Sequence, residues 1–108
     1  MPEPTLSAAA VRRIEQRYEQ LKNQLLELGW ISQGSLMRQP PNAWRWTCKV
    51  KTKTVTVALS KEQAELYKTA ITNHRKLEKL LRQMRELSQQ VLLGSVPGVR
   101  KRAPSQTS

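Results

Sequence analysis

The spacing of apolar side chains changes twice along this chain of 108 residues, and each change falls at a helix stop or a helix cap. Val11, Ile14, Tyr18, Leu21, Leu25 and Leu28 recur at intervals of three and four, which places all six on one stripe of a helix. Beyond Gly29 the interval becomes two. In Trp44-Arg45-Trp46-Thr47-Cys48-Lys49-Val50-Lys51 the even positions are apolar and the odd ones basic or polar, and Val55, Val57 and Leu59 alternate with Thr54, Thr56 and Ala58. From Tyr67 through Ala70, His74, Leu77, Leu81, Met84, Ser88 and Val91 the helical interval returns. A period of 3.6 cannot be buried as a strand, nor a period of two as a helix. The pattern therefore predicts an α+β fold: a helix, a small three-stranded antiparallel sheet, then a long helix. The two helices would pair as an antiparallel coiled-coil-like hairpin.

End signals set the bounds. Ser7 can cap the first helix and Gly29 can end it. Ser60-Lys61-Glu62-Gln63 has the form of a capping box, while Gly94 and Pro97 stop the second helix. One domain over residues 7–93 is expected, with disordered segments at 1–6 and at 94–108, the latter carrying a basic cluster. At 1.5 Å per residue the second helix would be about 50 Å long and the first about 33 Å. The first could not cover the second, so Leu80, Leu81, Met84, Leu87 and Val91 would be left to a partner helix or a second copy of the chain.

The strands constrain one another. With Thr52-Lys53 as a two-residue loop, Val50 faces Val55, Cys48 faces Val57 and Trp46 faces Leu59, so every apolar side chain shares one face. Ile31–Arg38, interrupted by Gly34 and ended by Pro40-Pro41, supplies the third strand, with the facing of Leu36 and Met37 open. Trp30 is expected to anchor the core at the helix–strand junction.

Charge points to a class of partner. The net charge is +11; residues 1–29 are neutral, and between Trp30 and Leu59 stand five basic residues and no acid. Such asymmetry favours nucleic acid. The outer face of the hairpin would present Arg45, Lys49 and Lys51, with Lys53 at its tip; Arg38 and the tail cluster Arg100, Lys101 and Arg102 complete the nucleic-acid-binding set. Phosphate contacts of this kind suit double-stranded DNA, favoured here over RNA. The parity of Trp44 and Trp46 turns them inward, away from base stacking. On the second helix Lys68, Arg75, Lys76, Lys79, Arg82 and Arg85 are basic, partly balanced by Glu65–Lys68, Glu78–Arg82 and Arg82–Glu86 spacings. The competing expectation is a protein–protein interaction module built on the long amphipathic helix, with the charge serving solubility.

Catalysis is not expected. One histidine, His74, and one cysteine, Cys48, supply no nucleophile–base set, no metal-ligand spacing is present, and the four glycines form no phosphate loop. No cofactor is expected. No signal peptide or membrane-spanning run is apparent, and a cytoplasmic protein without membrane association is the expectation.

Several short motifs in order suggest a setting. Ile31-Ser-Gln-Gly-Ser-Leu36, Lys53-Thr-Val-Thr-Val57, Leu59-Ser-Lys-Glu62, Asn73-His-Arg-Lys-Leu77 and Glu86-Leu-Ser88 together resemble a family of small, mostly uncharacterised bacterial proteins associated with transposases and other mobile elements. The resemblance covers about residues 30–88 and implies DNA transactions, with a transposase as a partner. Many members carry a cysteine cluster where this chain has Arg38-Gln-Pro-Pro-Asn-Ala43, so no metal role is carried over.

Overall fold

The computed structural model describes residues 6–99 and contains α1 (Ala8–Leu26), β1 (Ser35–Gln39), β2 (Ala43–Val50), β3 (Lys53–Leu59) and α2 (Lys61–Gly94). The architecture is α+β: helix, three-stranded antiparallel sheet, long helix. Arg100, Lys101 and Arg102 lie outside the described residues, as do the expectations for residues 1–5. The chain divides into two compact units, one holding residues 6–24 and 80–99, the other residues 25–79.

The first unit is a helix pair. Ser7 caps α1 as expected, its Oγ accepting from the Ala10 amide at 3.1 Å and its carbonyl from the Val11 amide at 3.0 Å. The Leu6 amide donates to the Gly94 carbonyl at 3.1 Å, which sets the start of α1 beside the end of α2 and makes the pair antiparallel. Val11, Ile14 and Tyr18 are half-buried, and Leu21 is the most deeply buried side chain described, 1% exposed. On α2 Leu80 is buried, while Leu81, Met84, Leu87 and Val91 are half-buried. Of the five residues expected to meet a partner, Leu80 is buried within the chain itself, and the other four keep part of their surface open. Residues 61–79 of α2 belong to the sheet unit, so the short length of α1 does not strand them. Ile14, Tyr18, Leu87 and Val91 line an open groove of about 690 Å³.

In the second unit the sheet order is β1-β2-β3, with β2 central. Val50 pairs with Lys53, Cys48 with Val55, Trp46 with Val57 and Trp44 with Leu59. The expected register is thus displaced by two residues, and the loop is Lys51-Thr52. A shift of two leaves parity intact, so both registers gather the same apolar residues on one face. Turn geometry separates them: Lys51 takes φ 57°, the positive value that a two-residue hairpin loop needs at its first position.

The third strand starts later than expected, at Ser35. The Ser32 amide donates to the Ala70 carbonyl (3.1 Å), Asn73 Nδ2 to the Trp30 carbonyl (2.9 Å) and Trp46 Nε1 to the Gln33 carbonyl (2.7 Å). These bonds engage the backbone of residues 30–33 with α2 and Trp46 instead of with a strand ladder. The inner face of the sheet carries Leu36, Trp44, Trp46, Cys48 and Leu59, with the Trp46 ring 5.2 Å from that of Tyr67 on α2. Ala64, Ala70 and Ile71 are buried on α2. The capping box closes in both directions, Gln63 N to Ser60 Oγ at 3.1 Å and Ser60 N to Gln63 Oε1 at 3.0 Å. Trp30 is no core anchor: it is 90% exposed, beside a groove it lines with Ile31 and Leu66. Its carbonyl, not its ring, is what ties this junction to Asn73.

Candidate nucleic-acid interface

The outer face of the sheet follows from the ladder, because directly paired residues share a face. Met37, Arg45 and Ala58 form one row across it, Ser35, Thr47 and Thr56 the next, and Lys49 with Thr54 the last. Arg45 and Lys49 therefore lie on the same face, about 13 Å apart at the usual strand rise. Both are exposed.

The other predicted contacts fall differently. Lys51 lies in the hairpin loop and not on the strand face. Lys53 opens β3 opposite Val50, which gives it the parity of the inner face although it is exposed. Arg38 pairs with Trp44 and so belongs to the inner-face parity as well, contrary to its grouping with Arg45. The facing of Leu36 and Met37 is resolved by the same ladder: Leu36 inward beside Trp46, Met37 outward beside Arg45 and 62% exposed.

The hairpin reaches past β1. The first strand pairs only with Ala43–Thr47, so Cys48–Val50 and Lys53–Val55 form a two-stranded ribbon with no third strand among the described residues. Lys49, Lys51 and Lys53 crowd this ribbon, all exposed. Among the described residues the ion pair is Lys22–Glu19 at 3.1 Å, with the His74 ring 3.6 Å from Glu78, and neither contact involves a cation of the sheet. The sheet's charge is thus open to an external anion.

A second basic feature emerges on α2. Lys61, Lys68, Arg75 and Arg82 recur every seven residues, with Lys79 on the same flank, and all are exposed. The seven-residue interval is visible in the sequence, where Lys61 stands apart from the denser cations between Lys68 and Arg85. The expected Glu65–Lys68 and Arg82–Glu86 pairs are not among the ion pairs of the described residues, so this row is less balanced than spacing alone predicts.

The lone histidine has a positioning role. His74 Nε2 stands 3.3 Å from Gln33 Nε2, and Nδ1 faces Glu78. With the ring proton on Nδ1, Nε2 accepts from the Gln33 amide, fixing the segment before β1 against α2. Among the described residues no group of three His, Cys, Asp or Glu side chains could hold a metal ion, and no helix is long and apolar enough to cross a membrane. No protein-family model, curated protein or solved structure matches the chain.

Proposed function

We propose that this chain is a non-enzymatic nucleic-acid-binding protein that grips double-stranded DNA through the β2–β3 hairpin. The observation that carries the reading is the two-stranded ribbon beyond β1, with Lys49, Lys51 and Lys53 exposed and no acid nearby in the sheet. A major groove about 12 Å wide admits a two-stranded ribbon, and lysines on its edges meet the flanking phosphates. Arg45 extends the contact along the sheet's outer face. Affinity of this kind arises from released counterions and carries little sequence preference. The resemblance to mobile-element proteins fits an accessory role beside a transposase.

Fluorescence anisotropy with labelled duplex DNA, single-stranded DNA and RNA at two salt concentrations tests the proposal. Duplex is expected to bind best, with an affinity that falls steeply as salt rises. The triple change Arg45→Glu, Lys49→Glu and Lys51→Glu is expected to abolish binding at unchanged helix content. In single substitutions, each phosphate no longer neutralised lowers the salt slope by about 0.9. Undiminished binding by the folded triple variant would remove the hairpin from consideration. Failure of all three ligands at low salt would leave the charge to solvation and the long helix as the interaction surface.

A further inference from the structure

β3 is an edge strand, and among the described residues nothing pairs with its outer edge. Lys53 to Ala58 are all exposed, including Val55 at 39% and Val57 at 40%. Because Val50 and Lys53 flank a two-residue loop, they form a hydrogen-bonded pair, and the alternation continues along the hairpin. Lys53, Val55, Val57 and Leu59 therefore bond into β2, whereas the N–H and C=O groups of Thr54, Thr56 and Ala58 point out of the sheet. None of the usual protections is present there: no proline, no bulge, and Lys53 as the single charge, at one end.

We infer that this edge pairs with β3 of a second copy of the chain, antiparallel about a two-fold axis at Thr56. The strand is self-complementary in that register. Thr56 meets Thr56 of the second copy, Thr54 meets Ala58, and Val55 meets Val57, so the half-exposed valines of the two copies form one apolar strip on the inner face. The outward groups of Thr54, Thr56 and Ala58 then all find partners. The two Lys53 side chains end up about 20 Å apart by strand rise, beyond the screening length of about 8 Å at physiological salt. Growth stops at two copies, because the opposite edge, β1, is five residues long, carries Arg38 and runs into Pro40-Pro41. One open edge and one blocked edge make a closed pair and not a filament. The inference bears on the nucleic-acid reading: in the pair Lys53–Val55 gain Val57–Leu59 of the second copy as a neighbour, so a copy paired in this way does not enter a groove as a two-stranded ribbon. The oligomer is measured without nucleic acid, so that either reading can fail alone.

Light scattering and sedimentation from micromolar to millimolar protein, at low and high salt, test it with the full chain. The parent is expected to reach twice 12.4 kDa. Because each copy carries +11, association strengthens as salt rises, the reverse of DNA binding. Thr56→Lys sets like charges opposite each other at the axis and is expected to weaken the pair by about tenfold. Thr56→Pro, which removes an outward donor without touching the β2 ladder, is expected to do the same. Thr52→Lys adds an equal charge in the loop and leaves association unchanged. Amide exchange supplies a separate readout, with Thr54, Thr56 and Ala58 slowing as concentration rises. A monomer at millimolar concentration in high salt, a pair indifferent to both Thr56 variants, or assembly beyond two copies would each overturn the inference.

Discussion

Among the described glycines, Gly34 has the least freedom to change. Its φ of +105° is a backbone state that side chains rarely adopt, and a Cβ there would stand 2.5 Å from the Thr47 carbonyl oxygen and 2.7 Å from Trp46 Nε1. The clash falls on the atoms that join the sheet to the preceding segment, since Trp46 Nε1 donates to the Gln33 carbonyl. Gly34→Ala is therefore expected to destabilise the protein by about 2 kcal/mol or more in denaturant unfolding. Gly29→Ala is expected to be far milder, its Cβ meeting only Asn73 Nδ2 at 3.4 Å. A sequence marks both glycines as interruptions and does not rank them; the rank comes from what crosses above each one. Trp30 teaches the same lesson in reverse. Its type and position suggest an anchor, but the backbone, not the indole, makes the bond to α2, and the ring is left in solvent.

The elements were legible where a signal is local. Caps are built from residues three apart, so both the Ser7 cap and the Ser60–Gln63 box could be seen in the sequence and are formed. Replacing Ser60 with alanine is expected to cost about 1 kcal/mol, measured by thermal unfolding, and to lower the protection of the first α2 amides. Strand register was harder because two alternations in phase satisfy burial equally. Pairing Val50 with Lys53 or with Val55 buries the same set, and the choice rests on Lys51 accepting a left-handed conformation that its side chain does not advertise. The misplacement of Arg38 has the same origin. Leu36 and Met37 are both apolar, so nothing in that strand says which way Arg38 turns until the Leu36–Trp46 pair is known. Of the candidate interface, the stripe of Arg45 and Lys49 was readable by parity, while the free ribbon was not. Its existence depends on where β1 stops pairing, at Thr47.

At the scale of the whole molecule, charge is the dominant quantity. A net +11 on 108 residues repels itself, and the described ion pairs relieve little of it. The melting temperature is expected to rise as salt is added from very low ionic strength, as calorimetry would register; a flat response would mean that local contacts already balance the charge. The three tryptophans offer a way to watch such transitions without a label. Trp30, 90% exposed, is expected to emit as a solvated indole in the native state, whereas Trp46 lies against Tyr67 with its ring N–H occupied. Unfolding therefore changes the environment of Trp44 and Trp46 over a constant background from Trp30. Collisional quenchers sort the signals the other way, reaching Trp30 first. Quenching of Trp30 by anionic iodide is expected to weaken as an inert salt screens the positive field, while quenching by neutral acrylamide stays constant. Trp30, left in solvent where its position suggests an anchor, thus becomes an optical gauge of the field around the protein.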